Sequence, residues 1–352
     1  MSTASISGAG RPGLEVIRTD GLQDNEHPSR SGVPPGRGRE VGKRKGFGLY
    51  MSIWSNRLKS GWKIEKYIGL AYIAPWLIGC LAFQLYPFIA SLIYSFTDFS
   101  MIREPNFVGL RNYAALFASG EVLKSATVTF TYVIIAVPLK VAFALLVAVL
   151  LNTKLKYINF YRTAYYLPSI LGGSVAIAVL WRFLFMRDGV VNSILSLVSI
   201  QPVDWLGEPQ IALFTISILT VWQFGSSMVL FLAALKQVPE SLYEAARIDG
   251  ASHMHTFFMI TLPMISSIVF FNLVMQMVGA FQEFTGAFVI TRGGPMKSTY
   301  LYGLMLYDQG FRFFKMGYAS ALSWVEFIVI MIFTLLVFKS SSAWVYYEDG
   351  EK

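Results

Sequence analysis

The chain has 352 residues, of which 55% are hydrophobic and 14% are charged, and its mean hydropathy is +0.52. These values predict a membrane protein and exclude an ordinary soluble domain. The single cysteine, Cys80, lies in an apolar stretch and excludes an intrachain disulfide, and with it a disulfide-bonded secreted scaffold. The basic residues behind the net charge of +8 cluster before and beside the apolar stretches, as membrane orientation requires, so we expect no nucleic-acid partner.

Residues 1–50 are rich in Gly, Pro, Ser and Arg and have no apolar periodicity. They lack the hydrophobic segment of a secretory signal, so we expect a disordered cytoplasmic tail followed by a transmembrane domain over residues 51–352. Met1 and Met51 both stay open as the first residue, because all the organised sequence follows Met51.

Six apolar stretches are long enough to cross a bilayer, which takes about 20 residues of helix. Prolines inside the first three are tolerated where neighbouring helices satisfy the freed backbone groups. We therefore predict an all-α, polytopic bundle of six transmembrane helices. The predicted spans cover residues 67–96, 126–151, 164–185, 212–235, 264–283 and 318–339.

The orientation follows from Lys and Arg in the short loops. The flank 57–66 and the interval 152–162 are both basic, and the second contains no acidic residue. We place both on the cytoplasmic side of the membrane, which puts both termini inside and the interval 284–315 outside. That outer interval fits the rule poorly, because it carries Arg292, Lys297, Arg312 and Lys315.

The cytoplasmic interval 236–263 has the pattern of two short helices that meet at an angle. Pro239 suits a first helical turn, Gly250 a helix C-terminus, and Ser252 the cap of a second helix that ends before Pro263. A slim face of small and acidic residues can enter a groove on another protein, although an ordinary surface hairpin has the same amphipathic pattern. This face consists of Leu242, Ala245, Ala246 and Asp249.

The spacing in this interval resembles the signature loop of bacterial ATP-binding-cassette importer permeases: Glu-Ala-Ala, three residues, Gly, nine residues, Ile, any residue, Leu, Pro. Segments at 107–113, 291–295, 317–322 and 344–348 are similar to the carbohydrate-uptake branch related to the maltose and glycerol-phosphate permeases. The residues at the signature positions are Glu244, Ala245, Ala246, Gly250, Ile260, Leu262 and Pro263.

The resemblance implies a type I importer fold in a bacterial inner membrane and a translocation subunit that is not itself an enzyme. It implies that the signature loop, with Asp249, couples to two copies of a cytoplasmic ATPase, which use the ATP and Mg²⁺. It further implies a second permease subunit, an extracytoplasmic solute-binding protein and no cofactor on this chain. The binding protein would face the outer turn at Thr291, Gly293, Gly294 and Pro295, for which a simple connector is the alternative.

Polar groups inside spans are costly in lipid and tend to face the bundle interior or a wet cavity. We take six of them as candidates for the solute pathway, with hydrogen bonding between helices as the alternative for each. They are Gln223, Asn272, Gln276, Gln282, Glu283 and Glu326. We expect no metal site, because His253 and His255 stand two apart on a helix and diverge.

A secondary transporter, a channel and a membrane-bound enzyme are the rival functions. The first needs internal repeats, discontinuous helices at the midplane and ion-coupling carboxylates; the sequence shows no convincing repeat, and six spans are few for such a protein. The last needs a catalytic cluster, which the sequence lacks. The solute stays open among a sugar, an oligosaccharide, a polyol and glycerol phosphate, because specificity is shared with partners.

Overall fold

The computed structural model describes residues 69–153 and 156–346. The chain divides into two units, Met1–Ala74 and Pro75–Lys352, and only residues 69–74 of the first are described. The expected tail at 1–50, the basic flank at 57–66, Lys154 and the end of the 344–348 segment lie outside the described residues.

Three helices in the described part are long and apolar enough to cross a membrane. They are α1 at Gly69–Ser95, α3 at Gly120–Leu151 and α13 at Met316–Ser341. A short helix, α2 at Arg111–Ala118, lies between the first two. The 32 residues of α3 extend for about 48 Å, so this helix passes beyond a hydrocarbon core of about 30 Å.

Three further crossings are pairs of helices bent at a short break. At the third span, α4 at Ile158–Leu171 is bent by 104° against α5 at Val175–Leu184. At the fourth, α7 at Pro209–Trp222 is bent by 47° against α8 at Gly225–Leu235. At the fifth, α10 at His253–Met264 is bent by 70° against α11 at Ser266–Phe281.

The remaining helices are α6 at Val190–Leu197, α9 at Glu240–Ile248 and α12 at Tyr302–Tyr307. π-Helical turns at Ala287–Thr291 and Asp308–Arg312 stand before and after α12. Counting each bent pair as one crossing gives up to six spans, and the all-α prediction is confirmed.

The predicted single helices at 164–185 and 212–235 are each broken in the structure. Gly173 has a φ of +81°, and Ser174 caps α5 by accepting a hydrogen bond of 3.2 Å from the N–H of Ile177. In the fourth span the break lies at Gln223 and Phe224. Hydropathy predicts a span from its apolar residues and is insensitive to a two-residue interruption, so it missed both breaks.

The helix that follows Ser252 does not end before Pro263 as predicted, because it continues to Met264 and bends at Ile265. A π-helical turn at Phe257–Thr261 directly precedes Pro263. Wider i→i+5 turns accommodate the missing N–H of a proline without ending the helix.

α3 lies at the centre of the bundle and contacts α7, α8 and α11. Its buried face carries small residues, with Ala136, Ala144 and Ala148 fully buried. Small side chains let helix backbones approach closely where no hydrophobic effect drives association in lipid.

The two ends of the bundle differ in what they bring together. At one end the Lys124 ammonium donates to the carbonyl of Met296 at 2.7 Å, and the N–H of Gly317 donates to Phe99 at 2.9 Å. At the other end the Arg162 guanidinium reaches the carbonyl of Leu151. The intervals predicted to lie outside are thus gathered at one end, which we call the loop end.

Candidate functional site

The signature loop forms a rigid elbow of α9, a turn at Gly250 and α10. Gly250 has a φ of +72° and donates its N–H to Arg247, while Ala251 donates to Ala246 at 2.9 Å. This pair of bonds is the Schellman motif, which satisfies the last carbonyls of a helix. Ser252 then caps α10 by accepting from the N–H of His255 at 3.3 Å. The predicted turn and second cap are therefore both present.

The elbow has an inner and an outer side. Ala246 is buried within this chain, and the hydroxyls of Tyr243 and Thr261 share a hydrogen bond of 3.1 Å that ties α9 to α10. The outer side exposes Ile248, which is 87% accessible, and Met254, which is 68% accessible. Large apolar side chains that stay exposed on a polar loop mark a contact surface.

The other predicted coupling residues divide between the two sides. Glu244, Ala245, Asp249, Gly250 and Pro263 are exposed, whereas Ile260 and Leu262 are partly buried. Ile248 was missed by the sequence reading, although a large apolar residue between Arg247 and Asp249 was a usable signal.

Two of the six pathway candidates line one cavity. Gln223 and Glu283 meet there with Thr220, Ser174 and Gly173, so the cavity lies where the third and fourth spans are broken and just after α11 ends. We call it the break cavity. Its volume of about 50 Å³ holds only a water or two, since one water occupies about 30 Å³ in the liquid.

Glu283 is held by a hydrogen bond within its own segment. One of its carboxylate oxygens accepts the N–H of Gly286 at 2.7 Å. Lys140 of α3 is also buried, but among the described residues it forms no ion pair within 4 Å. A buried lysine inside a span favours an opposite charge, and Glu283 supplies one at longer range.

Ser169 closes the gap in the fourth span. Its hydroxyl donates to the carbonyl of Gln223 and accepts from the N–H of Ser226, both at 3.0 Å. A Cβ on Gly225 would stand 2.7 Å from the carbonyl oxygen of Tyr165, so only glycine allows α4 and α8 to approach this closely. Backbone left open at membrane depth is tolerated when it is buried in protein in this way.

The other four candidates do not reach the break cavity. Asn272 is buried and donates to its own helix at Ile268, while Gln276 donates to Ser227 at 3.1 Å. Gln282 is exposed. Glu326 lines a separate apolar cavity, and one of its oxygens is buried with no hydrogen-bond partner among the residues that the structure describes.

The turn predicted to face a binding protein lies at the loop end. Thr291, Gly294 and Pro295 line a cavity of about 540 Å³ together with Arg182 and Arg187; we call it the Thr291 cavity. Gly293 is buried with a φ of +82°. The hydroxyls of Thr291 and Thr299 share a hydrogen bond of 2.7 Å, so the turn is internally braced.

Two of the four basic residues that fitted the charge rule poorly are paired. Lys297 bonds to Glu121, and Arg312 lies 3.9 Å from Asp308. Asp308 also accepts from the Tyr300 hydroxyl, and burial together with that bond raises the pKa of Tyr300. Between residues 69 and 346, outside the undescribed 154–155, no group of three or more His, Cys, Asp or Glu side chains is placed to hold a metal ion.

Comparisons with known proteins agree on one family. The family described as "Binding-protein-dependent transport system inner membrane component" matches residues 112–347. The probable ABC transporter permease YesP of Bacillus subtilis is 49% identical over 82% of this chain and 94% of its own length. The lactose transport permease LacF of Rhizobium radiobacter is 32% identical over 77% and 92%.

The fold also matches a solved structure. A chain of a bacterial ABC transporter involved in the import of the acidic polysaccharide alginate superposes with a TM-score of 0.71, covers 81% of this chain and 98% of its own length, and is 22% identical. This likeness supports the fold alone.

Proposed function

Because the chain belongs to the family of binding-protein-dependent transport system inner membrane components, we propose that it forms the translocation pathway of an ATP-driven importer. The imported solute is a sugar, an oligosaccharide or a related polyol. Members of this family are multi-pass membrane proteins without a catalytic domain or cofactor of their own. The chain acts with a second permease subunit in a heterodimer. Two copies of a cytoplasmic ATPase hydrolyse ATP with Mg²⁺, and an extracytoplasmic binding protein delivers the solute. The solute class is supported by the lactose relative, with glycerol phosphate as the alternative.

The observation that carries the proposal is the elbow at Glu240 to Met264. It is braced from within by the Tyr243 hydroxyl and the Schellman turn at Gly250, yet its outer side exposes Ile248 beside Glu244 and Asp249. A rigid element with an unpartnered outer surface suits docking into a cleft of a motor protein. Ala246 supports the elbow from inside, and Glu244 and Ala245 face the partner.

The orientation places the elbow and both termini in the cytoplasm and the loop end outside. The C-terminal segment supports this arrangement, because the N–H of Tyr346 donates to Ser266 at 2.8 Å, next to the end of the elbow at Met264. The turn at Thr291 to Pro295 then faces the binding protein.

The break cavity is the part of the solute pathway that we assign to this chain. Interrupted helices that place free backbone groups and polar side chains at membrane depth are typical of transporter binding sites. A cavity of about 50 Å³ is smaller than a sugar ring, so we expect solute passage to require the breaks to open. Asn272, Gln276, Gln282 and Glu326 have weaker support as pathway residues.

The test is reconstitution of this chain with the products of its neighbouring genes in lipid vesicles. We expect ATP hydrolysis to rise when the cognate binding protein and solute are both present, and solute to accumulate only with ATP. Accumulation driven by an ion gradient without nucleotide would show a secondary transporter, and passive conduction would show a channel.

A further inference from the structure

The short helix α6, which joins the third span to the fourth, turns aliphatic side chains away from the protein. Val190, Ile194 and Leu197 share one side of this helix, at spacings of four and three residues. All three are exposed, and Leu197 is 83% accessible. Val198 and Ile200 continue the exposed surface just beyond the end of the helix. We call these five residues the α6 face.

The opposite side of α6 is fixed to the protein by Asn192, which is buried. The side-chain nitrogen of Asn192 donates to the carbonyls of Arg187 at 2.9 Å and Val203 at 2.8 Å. Its side-chain oxygen accepts the N–H of Val203 at 3.1 Å and the indole N–H of Trp205 at 3.0 Å. The α6 face therefore cannot turn inward without breaking these four hydrogen bonds.

α6 lies close to the point at which the third span ends. It packs against α5, and an extended chain from Leu184 to Val190 could cover only about 20 Å. The connection is tighter than that, because the N–H of Gly189 donates back to the carbonyl of Met186 at 2.8 Å. Arg187, in the same connection, lines the Thr291 cavity. α6 therefore lies at the loop end, beside the surface of the membrane.

The chemistry of the α6 face favours lipid over a protein partner. All five of its side chains are aliphatic, whereas the contact surfaces of proteins are enriched in aromatic residues, Met and Arg. Two serines lie among them on the helix: Ser193 donates its hydroxyl to the carbonyl of Gly189 at 3.1 Å, and Ser196 donates to the carbonyl of Ser193 at 2.7 Å. Hydroxyls that bond within their own helix need no partner from outside, which suits the edge of a bilayer.

We propose that α6 is an interfacial helix whose α6 face inserts between the lipid headgroups and acyl chains of the outer leaflet. A contiguous exposed apolar surface marks a contact site, and helices of this kind place their apolar side about 5–10 Å into the boundary between headgroups and acyl chains. Through Asn192, the helix then holds the outer end of the third span at the membrane surface. The proposal rests on the proposed function for the choice of leaflet alone, because the orientation decides which leaflet the loop end meets.

The test is electron paramagnetic resonance of the assembled complex in lipid nanodiscs, first without and then with the binding protein. Nitroxide labels are attached to Ile194→Cys and, separately, to Leu197→Cys in a Cys80→Ser background. Molecular oxygen concentrates in lipid and a neutral nickel chelate stays in water, so the ratio of their collision rates reports the surroundings of the label. Glu208→Cys is the matched control, because Glu208 is charged and exposed, lies between the same two spans and does not line the Thr291 cavity.

We expect the oxygen-to-nickel ratio to be several-fold higher at Ile194→Cys and Leu197→Cys than at Glu208→Cys, with or without the binding protein. Equal ratios at the three positions would overturn the proposal, because the α6 face would then lie in water. Labels on α6 that are shielded from both reagents would also overturn it. They would identify a contact with the second permease subunit, or with the binding protein if the shielding appears only after its addition.

The collision rates are independent of transport. Failure of the binding protein to stimulate ATP hydrolysis by the wild-type complex would count against the proposed function and leave the oxygen-to-nickel ratio unaffected. A reversed topology would overturn the choice of the outer leaflet and leave the lipid contact itself intact.

Discussion

At the scale of single residues, Gly250 shows most directly how a backbone requirement produces the proposed function. Its φ of +72° is left-handed, yet among the described residues no atom beyond its two chain neighbours lies within 4 Å of the position of a Cβ. The need for glycine is therefore conformational and does not come from crowding.

Replacing Gly250 by valine should impair coupling while leaving the bundle folded. A β-branched residue in the left-handed region costs about 1–2 kcal/mol, so we expect uptake in reconstituted vesicles to fall by about fivefold to thirtyfold. Gly250→Asn is the control, because asparagine tolerates this conformation. Equal uptake by the valine and asparagine variants would contradict the role assigned to the turn.

A substitution of Glu283 tests whether the break cavity is part of the solute pathway. Glu283→Gln keeps an oxygen that can accept the N–H of Gly286 but removes the charge opposite Lys140, so we expect the KM of uptake to rise by about tenfold with little change in folding. The exposed Gln201, which lines neither the break cavity nor the Thr291 cavity, provides the control variant Gln201→Ala. A KM that changes equally in both variants would argue against a pathway role for Glu283.

At the scale of helices, the sequence predicted the elements well and their interruptions poorly. The spacing of Pro239, Gly250 and Ser252 correctly predicted two short helices and their turn, because caps and left-handed turns are local. Pro239, expected in the first turn, stands at the N-cap of α9. The break at Gln223 is bridged by Ser169 from a neighbouring helix, and no local pattern reveals such a contact. The break at Gly173 is local, because a left-handed glycine is followed there by the capping residue Ser174, and hydropathy overlooks it.

The close approach of α4 and α8 predicts a large effect of a small substitution. Gly225→Ala would push a methyl group against the backbone of Tyr165 and Tyr166, which cannot rotate away. We expect it to lower the free energy of unfolding by about 1–3 kcal/mol, measured by thermal unfolding of the purified complex in detergent.

Gly279→Ala is the matched control within α11. In the described part of the chain, no atom outside the backbone of its own helix and its two neighbours lies within 4 Å of its Cβ position, so a helical alanine should be neutral or stabilising by about 0.5–1 kcal/mol. Equal destabilisation by the two variants would show that the contact at Gly225 is not tight.

At the scale of the whole molecule, the family, the fold and the position of the predicted outer intervals at one end were predictable from the sequence. The sites that distant segments build together were not. The signature spacing around Glu244 is a local pattern and gave the family. The convergence of Gln223 with Glu283 at the break cavity depends on how distant segments pack, so hydropathy and motif spacing do not reveal it.

Cysteine labelling measures the proposed orientation directly. In a Cys80→Ser background, we expect an impermeant maleimide to label Ile102→Cys in intact spheroplasts and Met254→Cys only in inside-out vesicles. Both positions are largely accessible, at 80% and 68%, so a difference in labelling reports the side of the membrane. Labelling of Met254→Cys from outside would reverse the topology.

The serine that bridges the fourth span has a mechanical consequence. α8 begins at the break cavity and ends just before the elbow, so its 11 residues form a stiff arm of about 16 Å between the two. Because Ser169 bonds to both sides of the break, α4 is fastened to the inner end of this arm. We expect a movement of the ATPase at the elbow to shift the third and fourth spans together and to separate them from Glu283.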